Sequence, residues 1–209
     1  MKVYIILCVD KNWGISKKGK IPWNIKRDIN FFKDITTRSN GKQNIVIMGK
    51  NTWISIPEKY RPLKNRYNII ISSTLQSNSQ EYLVVKSVDL ALKYSYENTD
   101  KYNDVYICGG KYIYDYFISN DQSDPSDPSD PSDPSDYDGI YLTIINSDYE
   151  CDNIIDEDKL LKKVKRLYLI DENNRINYDS CVNTINVINT INTINSFILL
   201  KRFQILYME

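Results

Sequence analysis

The sequence predicts an α/β domain built on a mostly parallel sheet, and two features carry that expectation. Six short apolar, β-branched runs, Val3–Val9, Asn44–Met48, Tyr67–Ile71, Leu83–Val85, Val105–Cys108 and Ile140–Ile145, have the length of strands. They are continuously apolar rather than alternating, the pattern of a strand covered on both faces. Helically spaced stretches at Ile25–Ile35, Val88–Tyr96 and Tyr112–Ile118 separate some of them, and strands alternating with helices assemble into parallel sheets. A chain of 209 residues is long enough to bury a core of its own, so a single domain over residues 1–209 is expected.

The first run is too short to span a membrane and lacks the cleavage pattern of a signal peptide, so it reads as a buried first strand carrying Leu7 and Cys8. The loop after it, Asp10-Lys11-Asn12-Trp13-Gly14-Ile15-Ser16-Lys17-Lys18-Gly19-Lys20-Ile21-Pro22-Trp23, holds two glycines and a Pro-Trp pair. Such a loop can approach a ligand closely and stop abruptly at a helix; a surface turn with a packing Trp explains it equally well. In the helix that follows, Ile25, Ile29, Phe32 and Ile35 form an apolar face, and Asp28 falls among them. Asp28 is either a first-turn charge favoured by the helix dipole or a partly buried acid able to accept two N–H bonds from an amidine-like ligand edge.

The strand Asn44–Met48 ends at Gly49, and Lys50-Asn51-Thr52 opens a helix. A strand leading into a helix N-terminus suits phosphate, because free backbone N–H groups face the anion, and Lys50 adds a charge there. Arg66, at the start of the next strand, can take a carboxylate bidentately, and Ser72-Ser73-Thr74 end that strand with three hydroxyls suited to a phosphate. The run Val105–Cys108 ends in Gly109-Gly110 before Lys111-Tyr112-Ile113-Tyr114, where bare backbone could press against a diphosphate. The dinucleotide fingerprint G-x-G-x-x-G is nowhere in the chain.

Two tracts break the pattern. Residues 121–138 contain Ser-Asp-Pro four times, from Ser123 to Asp136; proline-punctuated and acidic, they supply neither core side chains nor continuous pairing and are expected to form a disordered surface loop. Residues 182–196, rich in Asn, Ile and Thr, are expected to be a second expanded loop. Ser196–Tyr207 then returns to the sheet as a last strand.

Composition narrows function. Lys+Arg and Asp+Glu balance at 27 each, so no global field draws the chain to nucleic acid or an anionic membrane, and the run Lys162-Lys163-Val164-Lys165-Arg166 reads as a solvated helix face. Cys8, Cys108, Cys151 and Cys181 show neither metal spacing nor the density of a disulfide scaffold, which suits a reducing compartment, the cytoplasm. Histidine is absent, which removes Ser-His and Cys-His nucleophile pairs, His-ligated zinc and any imidazole base. No metal is expected.

Taken in order, these pieces closely resemble dihydrofolate reductase, the vertebrate and protozoan type more than the short bacterial one, from Val3 to about Asp152. The most specific motif is Val46-Ile47-Met48-Gly49-Lys50-Asn51-Thr52-Trp53. The resemblance implies a central, mostly parallel sheet of about eight strands flanked by helices, with an antiparallel C-terminal strand. It implies Asp28, Trp23 and Thr143 as the catalytic set, and Leu7, Ile29, Phe32, Ile56 and Arg66 beside Asp28 and Thr143 for substrate, Arg66 taking the glutamate tail. For the cofactor, NADPH, it implies Cys8 of the first strand, Gly14, Ile15, Ser16, Gly19 and Lys20 of the covering loop, and Gly49, Lys50, Asn51 and Thr52. Ser72, Ser73 and Thr74, then Cys108, Gly109, Gly110, Lys111, Tyr112, Ile113 and Tyr114, complete that cofactor set.

The implied reaction reduces the 5,6 bond of 7,8-dihydrofolate: hydride passes from C4 of NADPH to C6 while N5 gains a proton. Asp28 would anchor the pterin amino group and N3 and favour N5 protonation through water, with Trp23 and Thr143 fixing that water and the carboxylate. The expected partners are dihydrofolate, with a functional link to thymidylate synthase, and neither nucleic acid nor membrane; alone, the chain is expected to be a monomer. Alternatives are a same-fold pyrimidine reductase of riboflavin synthesis, which needs neither Asp28 nor Arg66, and a catalytically silent folate-binding protein. Four features depart from the family pattern: Cys8 stands where Ala is usual, Cys108 where Val or Ile is common, Trp13 is large for the loop entry, and no aromatic-proline segment follows Asp152.

Overall fold

The computed structural model describes residues 1–76, 79–119 and 137–162, with side chains as far as 160, and the backbone of four later strands. In chain order the elements are β1 (Val3–Val9), β2 (Gly14–Ser16), α1 (Lys26–Thr37), β3 (Gln43–Gly49), α2 (Lys50–Ser55), β4 (Arg66–Ile71), β5 (Tyr82–Val85), α3 (Val88–Glu97), β6 (Tyr102–Ile107) and α4 (Lys111–Ser119). There follow β7 (Gly139–Ile145), β8 (Asn153–Ile154), α5 (Glu157–Lys162), β9 (Leu167–Ile170), β10 (Ile176–Ser180), β11 (Ile198–Leu199) and β12 (Phe203–Met208). They form two compact units, Met1–Tyr4 with Asn30–Tyr137 and Ile5–Ile29 with Asp138–Glu209.

In the first unit the strand order is β6-β3-β4-β5, every pairing parallel. Ile45, Val46, Ile47 and Met48 of β3 are all fully buried, as are Ile69 and Ile70 of β4, which is why these runs do not alternate: both faces of the sheet are covered. β6 begins three residues before the apolar run because Tyr102 already pairs with Gln43, ahead of an irregularity in register. α3 starts at Ser87, whose hydroxyl accepts the Leu90 N–H at 3.2 Å, and buries Val88, Ala91, Leu92 and Ser95. α4 buries Ile113, Tyr114, Phe117 and Ile118 at helical spacing.

In the second unit the order is β11-β12-β7-β1, β2 pairs antiparallel with β8, and β9 pairs antiparallel with β10. The C-terminal strand departs from expectation. β12 runs parallel to β7, Phe203 facing Ile140 through Met208 facing Ile145, and only the short β11 is antiparallel to it. Residues 146–202 separate the two strands, ample chain for the crossover that parallel pairing requires. Residues 120–136 and 181–197, with the Ser-Asp-Pro repeats and the whole Asn/Ile/Thr-rich tract, lie outside the described residues, as does the basic run beyond Lys162. Tyr137, at the edge of the first tract, is buried and meets Phe117 edge-on at 6.5 Å.

Candidate active site

Three segments of the second unit converge on Asp28. It lies in the first turn of α1, half-buried, where the Thr143 hydroxyl of β7 and the Cys8 thiol of β1 act on its carboxylate as donors. Burial pushes this carboxyl above its ordinary 3.8, and the two donors, which favour the ionised form, oppose the rise. Thr143 is 2% exposed, so its hydroxyl has little water to turn to. The Cys8 thiol is held well above its ordinary 9.0 by burial first, then by the charge of Asp28 and its bond to that carboxylate, while a hydrogen bond from Trp23 acts the other way. Trp23 is itself buried, its ring 5.3 Å from that of Tyr149 and inclined at 60°.

The loop between β1 and α1 is pinned from its first residue. Asp10 is 1% exposed, and its carboxylate accepts the backbone N–H of Asn12 at 2.9 Å, Gly14 at 2.8 Å and Tyr149 at 3.1 Å. The Cys151 thiol, pushed up to about 12 chiefly by burial, donates to the same carboxylate. Gly14 is required by close approach: a Cβ there would lie 2.3 Å from Cys151 Cβ. Beyond it Ser16 accepts the Asp152 N–H on its carbonyl and the Asn153 amide on its hydroxyl, both at 3.0 Å. Lys18 N–H donates to Asp152 at 2.6 Å, and Lys17 pairs with Glu150 at 2.7 Å. Ile15 is half-buried, whereas Gly19 and Lys20 are exposed.

The first unit carries the anion-binding candidates. Gly49 N–H donates to Gly109 O at 2.7 Å, and the Gly109-Gly110 peptide is cis. A Cβ on Gly109 would stand 3.1 Å from the Tyr114 hydroxyl, on a backbone with φ +109° that disfavours any side chain, and one on Gly110 would stand 3.3 Å from Thr52 Oγ1. Lys50 Nζ donates to Thr74 Oγ1 at 2.7 Å, which ties the start of α2 to the turn after β4. Ser72 is buried and spends its oxygen on the Thr74 and Leu75 N–H groups; Ser73 and Thr74 are exposed. Lys111 is engaged with Asp115 at 2.9 Å, Asn51 is exposed and Tyr112 is 75% exposed. Ile113 is buried, and Cys108 is half-buried, its thiol pushed up to about 12 by burial.

Arg66, at the start of β4, is 9% exposed. Its Nη1 donates to Thr36 Oγ1 at 2.9 Å and its Nε to Lys64 O at 3.0 Å, with the guanidinium 5.7 Å from the Phe32 ring centroid. Among the described residues no carboxylate acts on it, and a guanidinium has five N–H donors, so capacity for an anion remains. Ile56 is half-buried at the end of α2, and Leu7 is 4% exposed. Ile29 is 52% exposed, off the buried stripe of α1, which centres on Ile35 and Thr36.

Sequence reasoning did not single out Asp10, Tyr149 or Cys151. Asp10 had a signal: an Asp at a strand end, two residues before Asn12 and four before Gly14, is the pattern of a side chain capping its own turn. Tyr149 and Cys151 had none, since their partners lie far away along the chain.

The sequence profile of the family described as "Dihydrofolate reductase" matches residues 2–123. The dihydrofolate reductase of Schistosoma mansoni is 39% identical over 168 residues, 78% of this chain and 83% of that one. Its solved structure superposes with a TM-score of 0.63 at 37% identity, covering 79% of this chain and 85% of that one. The enzyme of Sus scrofa is 45% identical over 115 residues, 52% of this chain and 62% of the relative. An Arabidopsis thaliana protein named bifunctional dihydrofolate reductase-thymidylate synthase 2 is 42% identical over 93 residues, 42% of this chain and 16% of its own.

Proposed function

The chain belongs to the dihydrofolate reductase family, and on that premise we propose that Asp28 is the group with which it anchors 7,8-dihydrofolate and favours its protonation during NADPH-dependent reduction. One observation carries this reading: Asp28 is a half-buried carboxylate with a raised pKa, and among the described residues the donors that act on it are two neutral side chains, Thr143 and Cys8. A carboxylate has about four acceptor positions, so roughly two stay available for the two N–H groups of an amidine-like ring edge. The raised pKa keeps a larger protonated fraction near neutral pH than an exposed Asp would have. With no histidine in the chain, that acid has no imidazole rival.

The residues present fit NADPH. The glycine backbone at Gly49, Gly109 and Gly110 has no room for side chains beside Tyr114 and Thr52, as close approach of a diphosphate requires, and Lys50 with Thr74 offers a cation and a hydroxyl for a further phosphate. When bound, NADPH supplies the hydride. The chain's part is to hold and align the reactants and restrict water, an orientation effect worth roughly 7–11 kcal/mol. Arg66, buried beside Phe32 with donors to spare, would take the carboxylate tail of the folate. Lys50→Ala should narrow the preference for NADPH over NADH by roughly 10- to 150-fold, since a charge-assisted phosphate contact is worth about 1.5–3 kcal/mol; an unchanged ratio of kcat/KM for the two cofactors removes Lys50 from this role.

In the same reading the chain is one catalytic domain carrying two low-complexity insertions, working in the cytoplasm as a monomer and handing its product to a thymidylate synthase. The Arabidopsis relative, whose name joins the two activities, supports the last link, and no helix among the described residues is long and apolar enough to cross a membrane. The deciding assay mixes the full chain, dihydrofolate and NADPH and follows loss of NADPH absorbance, with methotrexate as the inhibitor control. Folded chain that binds dihydrofolate without turnover would instead be a silent folate binder.

A further inference from the structure

We propose that Thr36 is a positioning residue for substrate recognition: its hydroxyl aims the Arg66 guanidinium, so that the remaining N–H groups meet the tail carboxylate already oriented. The inference rests on the reading of Arg66 given above, and every residue in it belongs to the first unit. Thr36, in the last turn of α1, is fully buried. Its hydroxyl proton goes to the Phe32 carbonyl at 2.7 Å within the same helix, so it is the oxygen's lone pairs that meet Arg66 Nη1 at 2.9 Å. Arg66 Nε donates to Lys64 O at 3.0 Å. Two acceptors on different segments thus fix where the guanidinium sits and how it is turned about its Nε–Cζ bond. With two of the five N–H groups used, three are left for an anion.

Each acceptor is itself held by a buried asparagine. Asn44 of β3, fully buried, donates to Thr36 O at 2.9 Å and to Arg38 O at 2.8 Å, and its own oxygen accepts Asn103 Nδ2 at 3.0 Å and the Asp104 N–H at 3.2 Å. The last turn of α1 is thereby tied to β3 and β6. Asn68 of β4, also fully buried, accepts the Leu63 N–H at 2.9 Å and donates to Leu63 O at 3.0 Å and Arg66 O at 2.9 Å, which fixes the chain that presents Lys64 O. A buried amide without partners is costly; here each is bonded through both its oxygen and its nitrogen, to the segment that carries one acceptor. An arginine free to turn must be ordered when it meets its anion, and ordering it beforehand removes that loss from binding. A merely structural Thr36 predicts something else. Its hydroxyl proton is already satisfied inside the helix, so deleting the hydroxyl would change stability and leave substrate choice alone.

The test uses the full chain as wild type, Thr36→Val, Thr36→Ser and Arg66→Leu, with dihydrofolate and a tail-less analogue in which a plain amide replaces the glutamate. Valine keeps the branched shape of threonine and removes the acceptor. We expect Thr36→Val to raise KM for dihydrofolate by about 2- to 12-fold, the range for ordering one long side chain on binding, with kcat and the KM for the analogue unchanged. Thr36→Ser, which keeps the oxygen, should match wild type. Without substrate, nitrogen NMR of the Arg66 guanidinium, assigned by its loss in Arg66→Leu, should show separate Nη1 and Nη2 signals in wild type and Thr36→Ser. In Thr36→Val they should merge as rotation about Nε–Cζ is freed. A wild-type KM for dihydrofolate in Thr36→Val, an equal rise for both substrates, or signals already merged in wild type overturns the proposal. If Arg66→Leu keeps the preference for dihydrofolate over the analogue, the reading of Arg66 as tail anchor falls and this inference with it. If Arg66→Leu abolishes that preference while Thr36→Val retains it in full, the anchor stands and the role of Thr36 falls.

Discussion

Asp10 and Asp28 stand at the two ends of the same loop, both withdrawn from water, and they have opposite fates. Asp10 is saturated by four protein donors, three of them backbone N–H groups. Among the described residues, two act on Asp28, both side chains. Backbone donors come with the chain path and serve it: Asp10 fixes where Asn12, Gly14 and Tyr149 run, and its capacity is used up in doing so. The side-chain donors around Asp28 orient it while leaving acceptor positions open, at the cost of a raised pKa. A buried acid with spare acceptors is a candidate for ligand chemistry; one without is a strut.

The largest test of that contrast is activity. Asp28→Asn should slow hydride transfer at neutral pH by roughly 100- to 10,000-fold, the range for losing an acid-base group, with the gap to wild type narrowing as pH falls and solvent supplies the proton; near-normal turnover at neutral pH breaks the comparison. Asp10→Ala should act first on the fold. Stranding three backbone N–H groups near a buried site costs on the order of 3 kcal/mol or more, visible as a lower urea midpoint, and a variant with unchanged stability would show that Asp10 is no strut. Gly14→Ala should cost about 1–3 kcal/mol by overpacking against Cys151, and Cys151→Gly in the same chain should recover much of it. Additive losses in that pair would mean the two residues do not meet.

The smallest effect concerns stability against pH and singles out Asp28. Because its folded pKa lies above the ordinary 3.8, folding favours its protonated form. That contribution is present below the ordinary value and is lost as pH rises through the folded one. At neutral pH the wild type therefore carries the cost of a half-buried carboxylate, which Asp28→Asn does not. The difference in Tm between variant and wild type should move in the variant's favour on going from acid to neutral pH, and a difference flat in pH would mean that burial does not shift Asp28.

Much of this was legible in one dimension, and the misses have definite causes. β1 begins and ends where its apolar run does, and α1, α3 and α4 fall within two residues of their periodic stretches, because both patterns repeat within a few residues of chain. Asp28 was placed on its helix by the same periodicity. Ile29 was assigned to the apolar face, yet it is exposed: a face drawn from spacing alone is wider than the stripe its neighbours cover. The antiparallel C-terminal strand failed for a related reason, since strand direction is set by the path between strands, and residues 146–202 leave that path open.

What the sequence by itself determined is the set of elements, the absence of histidine and the position of one acid on a helix face. Those are local or compositional properties, fixed by side-chain spacing and residue type. Only the tertiary structure decided that Thr143 and Cys8 donate to Asp28, that Tyr149 and Cys151 complete the shell of Asp10, and hence which of two acids eighteen residues apart is left with free acceptors. Hydrogen bonds act over about 3 Å of space and carry no trace of the distance along the chain, so the partners that separate a strut from a reactive acid appear only when the chain is folded.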